Sequence, residues 1–315
     1  MVVHNSTSPP GGRSHPLRTV LIGTSLEDES DGVVRSGLAV ARSAGARVRL
    51  VHAAPVAPRL GGLETGPGED FRRQVTADAE GKLRQQASRL GIGEPELAGI
   101  EARSGEPHRV LIEAAREASA DLIVVGATSS GPLAAELLGS TADRVLRKAA
   151  CPVLLVRGEP RMPPRRVLAP VDLSQISADA FRCGLGLLAQ LAKNEPLEVR
   201  AVYALSFTDA LQHRQHGELS PEEAESHSGE ELRRFVLENQ PDAAFEVETD
   251  VLSGEARFEI LQELEKRPAD LVMLGTHGRG GLDRLILGSV ASTVARKAPC
   301  SVLLIPPDAD LTARV

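Results

Sequence analysis

Residues 275 to 293 read GTHGRGGLDRLILGSVAST, with glycines at 275, 278, 280, 281 and 288. Glycines at that density let a loop take positive φ and bring peptide N–H groups close to a ligand. Gly288 and Ser289 then open a helical pattern, whose free amides and positive dipole end favour an anion. The chemistry these residues suit is the holding of a phosphate chain without a catalytic lysine. The pattern GxxxxGK[ST] is absent and no G-x-G-x-x-G follows a first strand, so neither a Walker-type NTPase nor a dinucleotide-binding dehydrogenase is supported. Arg279 suits charge-assisted hydrogen bonds to a phosphate, and equally a solvated loop charge. The same glycines also satisfy a tight strand-to-helix turn, and spacing alone does not choose between turn and cradle.

A second stretch, PVDLSQISADA from Pro170 to Ala180, places Asp172 at the end of an apolar run. Its carboxylate suits a sugar hydroxyl, or the amides of its own turn, as Asp and Ser commonly satisfy the start of a helix. His277 has no carboxylate or nucleophile tied to it by spacing and reads as a loop histidine. His213 and His216, three residues apart, lack a carboxylate fixed by spacing, so no metal is assigned. No residue is assigned a catalytic role.

The elements that must position these residues repeat. The 53 residues from Ser104 align without a gap on the 53 from Ser253, with about 20 identities, among them Ser104/Ser253, Gly105/Gly254, Asp121/Asp270, Gly126/Gly275, Gly139/Gly288, Ser140/Ser289 and Cys151/Cys300. The offset is the size of a domain, so the chain is a tandem duplication of whole units. In the second unit short Val/Leu/Ile runs at 166–172, 197–204, 243–252, 269–275 and 300–306 predict five strands. Helical patterns fall at about 177–193, about 221–239, 255–267 and 288–297, and the 221–239 helix is announced by Ser220, Pro221 and a capping-box Glu223. Nearly all-apolar strands alternating with helices predict, for each unit, a doubly wound α/β domain with a five-stranded parallel sheet. The expected division is a tail at 1–17, a first domain at 18–157, a Pro-rich exposed linker at 158–165, a second domain at 166–307 and a tail at 308–315.

Composition narrows the partners. The 315 residues carry a net charge of −7 and are 2% aromatic, 42% hydrophobic and 25% charged. An acidic chain argues against nucleic acid, and no apolar run reaches the roughly 18 residues of a membrane helix. The first residues have no secretory pattern, so a cytoplasmic protein is expected. Cys151, Cys183 and Cys300 are odd in number and without CxxC spacing, which suggests buried free thiols.

The second unit resembles the universal stress protein family. Gly275, Gly278, Gly288 and Ser289 match its G-x2-G-x9-G-[S/T] signature, and residues 170–180 match its first-strand P-x-D-x-S-x2-S-x2-A. The resemblance implies the adenine nucleotide alpha hydrolase-like fold for both units. For the nucleotide-binding branch it implies nucleoside contacts at Pro170, Asp172 and Ala204, and phosphate contacts at Gly275, Gly278, Arg279, Gly288, Ser289 and Val290. ATP, with Mg as an accompanying ion, is the implied ligand of a nucleotide-responsive stress and regulatory protein. A nucleotide-independent scaffold of the same family is the alternative, and a slow ATPase the third reading.

The first unit departs from both motifs. It has Gly23 and Ser25 where the second has Pro170 and Asp172, and Ser129 and Ser130 where the second has Gly278 and Arg279. It keeps Gly126, Gly131, Gly139 and Ser140. A weak or empty second site on Gly126, Gly139 and Ser140 is expected, with Glu27, Asp28 and Glu29 repelling a triphosphate if they face the cleft. In family dimers the fifth strands pair. The runs CPVLLV and CSVLLI would do so within one chain, covering two sheet edges, with further homo-oligomerisation left open.

Overall fold

The computed structural model describes residues 16–54, 69–127, 138–192, 196–206, 220–240, 246–278, 286–307 and 309. The first unit runs β1 (Thr19–Gly23), α1 (Asp31–Ala44), β2 (Arg47–Ala54), α2 (Glu69–Arg89), β3 (Leu97–Ser104), α3 (Pro107–Glu117), β4 (Leu122–Gly126), α4 (Ser140–Lys148) and β5 (Val153–Val156). The second repeats it with β6 (Arg166–Val171), α5 (Gln175–Leu191), β7 (Glu198–Leu205), α6 (Pro221–Asn239), β8 (Val247–Ser253), α7 (Ala256–Lys266), β9 (Leu271–Gly275), α8 (Ser289–Lys297) and β10 (Ser301–Ile305).

The alternation of element types is the one the sequence pattern predicts, and its physical basis is visible in the strands. Every residue of β5 and β10 is buried, and so are the first four of β4 and β9. Such strands need cover on both faces. On one face α1, α2, α5 and α6 pack through residues such as Val34, Leu83, Leu188 and Leu232. On the other, α3, α4, α7 and α8 pack through Leu111, Val145, Ile260 and Val294.

Strand order across the sheet is β3-β2-β1-β4-β5-β10-β9-β6-β7-β8. Within each unit all pairings are parallel, and the chain moves outward from β1 to β3, or β6 to β8, before returning to the other side of its first strand. That return leaves a crevice beyond the carboxyl ends of β6 and β9, where doubly wound folds bind ligands. At the middle β5 and β10 run antiparallel, with Leu155 opposite Val302 and Val153 opposite Leu304.

Two matched residues of the repeat receive a structural explanation. Asp121 accepts the amides of Arg18 and Thr19 at 2.8 and 2.9 Å, and Asp270 those of Arg165 and Arg166 at 2.9 Å each. Each carboxylate anchors the chain as it enters the first strand of its unit.

Three boundaries differ from the sequence reading. Leu17, placed in the tail, is 3% exposed, and its amide donates to Oε1 of Gln190 in α5 of the other unit. Ala309, in the C-terminal tail, packs against the core. Helix α5 starts earlier than residue 177 because Ser174 caps it, its Oγ accepting from the Ser177 amide at 3.2 Å.

Candidate functional site

The crevice of the second unit is a cavity of about 440 Å³. Pro170 and Asp172 enter it from the end of β6, Ala204 from β7, Gly275 and Gly278 from β9 and the turn after it, and Gly288, Ser289 and Val290 from the start of α8. These are eight of the nine residues singled out from the sequence. The ninth, Arg279, lies outside the described residues, as do His213 and His216. Val202, Ala256, Ile260, Leu274 and Leu287 give the cavity an apolar wall, while Asp172, Ser177, Thr276 and Ser289 supply polar atoms at its rim.

The β6 turn explains the first motif residue by residue. Leu173 takes φ +62°, a conformation costly for a side chain, which swings Ser174 back over Asp172. Asp172 Oδ1 accepts from the Ser174 amide at 3.0 Å and from the Ser174 hydroxyl at 2.6 Å. Ser177 Oγ accepts from the Asp172 amide at 3.2 Å. Ala180 is small because Gly275 lies against it: a Cβ on Gly275 would stand 3.2 Å from that of Ala180. Asp172 thus satisfies its own turn through one oxygen while standing on the cavity wall.

The glycines require a correction. Gly275 and Gly278 were expected to let the loop take positive φ, and neither does, while Gly280 and Gly281 lie outside the described residues. What each needs is space. A Cβ on Gly278 would lie 2.4 Å from Asp172 Oδ2, and one on Gly288 would lie 3.2 Å from the Thr276 carbonyl oxygen. The Gly288 amide donates to that carbonyl at 2.8 Å, closing the loop so that α8 begins over the crevice. Gly288 is the N-cap and brings no side-chain acceptor to the first amides of α8. Those of Ser289, Val290 and Ala291 therefore head a nine-residue helix at the cavity, where its dipole favours negative charge.

Ser177, Thr276, His277 and the apolar wall were not picked out from the sequence as contacts. Thr276 Oγ1 lies 2.9 Å from His277 Nδ1, which fixes the ring at the cavity edge. Ser177 and Ala180 were legible as members of the first motif. Ile260 and Ala256 carried no signal beyond helical periodicity, since the crevice is made by folding α7 over the strand ends.

The first unit keeps the scaffold of this site. Gly139 donates to the Ala127 carbonyl at 2.8 Å, as Gly288 does to Thr276, and it too caps its helix without a side chain. Leu26 repeats the positive φ of Leu173, at +67°. The β1 end is otherwise occupied. A Cβ on Gly23 would stand 2.9 Å from Leu111 Cδ2, and Leu111 is the counterpart of the cavity-lining Ile260. Thr24 is tied into a buried network with Ser30 and Gln86, and Gln86 in turn donates to Asp31, which also pairs with Arg89. Ser25 and the acidic residues Glu27, Asp28 and Glu29 are exposed. Ser129, Ser130 and Gly131 lie outside the described residues.

The family model described as the universal stress protein family matches this chain twice, over residues 16–157 and 164–306. The chain belongs to the universal stress protein family. A universal stress protein of Mycolicibacterium smegmatis is 28% identical over 304 residues, covering 91% of this chain and 97% of the relative. One of Mycobacterium bovis is 30% identical over 248 residues, 75% of this chain and 77% of the relative. A functionally unknown protein of Pseudomonas aeruginosa has the same fold, with a TM-score of 0.64 at 20% identity over 94% of this chain and 95% of that one. Tandem units of the universal stress protein type are therefore the architecture of the molecule, and their α/β sheets are those of the adenine nucleotide alpha hydrolase-like fold.

The described residues offer little for other chemistry. No group of three His, Cys, Asp or Glu among them could hold a metal ion, and no helix among them is long and apolar enough to cross a membrane. Cys300, matched by Cys151 in the repeat, has its thiol pushed up to about 11 by burial, which keeps it protonated and unreactive near neutral pH.

Proposed function

We propose that the protein binds ATP in the second unit's crevice and acts as a nucleotide-responsive stress and regulatory protein. The observation that carries this reading is the convergence of eight motif residues, from four separate elements, on one cavity with an apolar wall at one side and a helix N-terminus at the other. An adenine ring suits the wall built from Val202, Ala204 and Ile260. Asp172 would accept from ribose hydroxyls, and the amides of Ser289 and Val290 would donate to phosphate oxygens. Pro170 stiffens the strand end beside the base, and Gly275 and Gly278 leave room for the ligand. Arg279 would add its charge to the phosphates, and Mg would accompany them as the nucleotide's own counterion.

Among the described residues no group of three His, Cys, Asp or Glu could hold a metal ion, and the activity proposed is binding. The first unit, with Leu111 against Gly23 and a serine in place of Asp172, is proposed to bind nucleotide weakly or not at all through Gly126, Gly139 and Ser140. The two halves pair through β5 and β10, and we propose that this internal pairing stands in for a dimer of single units.

Chromatography of ligand released from natively purified protein, combined with equilibrium dialysis of the full chain against ATP, ADP and AMP, tests the reading. Retained adenine nucleotide, or saturable ATP binding, is expected. Failure of all three nucleotides to bind at millimolar concentration would overturn it and leave the nucleotide-independent scaffold.

A further inference from the structure

The residue after β5 reaches across to the other unit. Arg157, the last residue of the first domain as divided from sequence, is half-buried, and one of its guanidinium nitrogens donates to the carbonyls of Ala295 and Arg296 at 2.9 and 3.1 Å. Those carbonyls belong to the last turn of α8, which lacks intrahelical donors and carries the negative end of the dipole. The Arg157 amide also donates to Oγ of the fully buried Ser301 at 3.1 Å, which fixes the backbone from which the side chain reaches. A second link joins the same two units: Arg296 of α8 lies 3.6 Å from Asp143 of α4.

The repeat makes these contacts one-sided. Strand registers place Pro306 where the first unit has Arg157, Pro152 where the second has Ser301, and Ser292 where the first has Asp143. Proline has neither a guanidinium nor an amide to donate, so the second unit cannot return the contact to α4. The first unit holds the end of the helix at the second unit's cavity, and Pro306 cannot supply the equivalent clasp on α4.

We propose that Arg157 is a positioning residue for the second unit's site: the half with the degenerate motif clasps the C-terminal end of α8 and thereby sets where its N-terminal amides stand. This rests on the nucleotide reading of the cavity for its functional consequence, but the clasp itself can be measured without ligand.

The test uses the full chain with Arg157→Met and Arg157→Lys. Hydrogen exchange of ligand-free protein should show α8 amides exchanging about tenfold faster in Arg157→Met while those of α4 are unchanged, the signature of a local rather than global opening. ATP affinity should fall roughly 2- to 30-fold, the range for a residue that acts on a site without touching its ligand, while adenosine affinity, which does not use the α8 amides, is kept. Arg157→Lys, which retains a cation and donors, should recover part of both effects. Unchanged α8 exchange in Arg157→Met, or equal losses for ATP and adenosine, would overturn the proposal. If the unsubstituted chain bound no ATP, the nucleotide reading would be the one to fail, and the exchange comparison would still decide whether Arg157 holds α8.

Discussion

Asp172 and Gly278 are a matched pair, and the function proposed for the cavity depends on both. Asp172 is pinned by Ser174 through Oδ1, so its other oxygen cannot swing away from a side chain introduced at 278, where a Cβ would stand only 2.4 Å from it. Gly278→Val should weaken ATP binding at least about 30-fold while lowering unfolding free energy by no more than about 1–2 kcal/mol, because the site lies at the rim and not in the core. Calorimetric titration beside a thermal melt checks both parts. Asp172→Asn keeps the shape and an acceptor for Ser174 but removes the charge. It should cost roughly tenfold in adenosine affinity, the scale of one charge-assisted hydrogen bond, and leave the binding of inorganic triphosphate unchanged. Equal losses for both ligands would mean that Asp172 shapes the turn and does not touch the nucleoside.

At the scale of elements, the turn between β6 and α5 is the part most exposed to single substitutions. Ser174→Ala removes the α5 cap and one of the Asp172 contacts together, and should lower stability by about 1 kcal/mol or somewhat more, read from chemical denaturation. Much of the fold was legible in the sequence because its strands are almost wholly apolar and its helices carry cap signals such as Ser220 and Glu223, which do form the reciprocal capping bonds. The site was legible to the extent that it is local: Asp172, Ser174 and the glycines sit in short motifs at strand ends. What sequence could not show was the reason for the glycines, since closeness between residue 278 and Asp172 exists only once β6 and β9 are neighbours. The role of Arg157 was hidden for the same reason. A charge at the edge of a linker has no visible partner until β5 and β10 are paired and the helix end it serves comes into reach.

For the whole molecule, the central seam joins two units of unequal chemistry. Asp143 has its carboxyl held below the usual range, first by hydrogen bonding to Arg147, against the opposing effect of burial, and further by the charges of Arg147 and Arg296. A carboxyl with a depressed folded-state pKa contributes stability that is full above its unfolded value of about 3.9 and is lost as pH falls through the folded value. Melting temperature should therefore drop below about pH 4, and Asp143→Asn should be less stable at neutral pH with a flatter acid limb. A variant with an acid limb as steep as that of the unsubstituted chain would show that the seam does not depend on this carboxylate. The two units also differ where the crevice would open: the second presents Asp172 and a cavity beneath α8, while the first has Leu111 against Gly23 and a hydrogen-bonded turn around Thr24. The central claim is that this asymmetry confines nucleotide to one half. Isothermal titration of the full chain with ATP tests it most directly: one tight site per chain is the result expected, and two equivalent sites, or none, would contradict it.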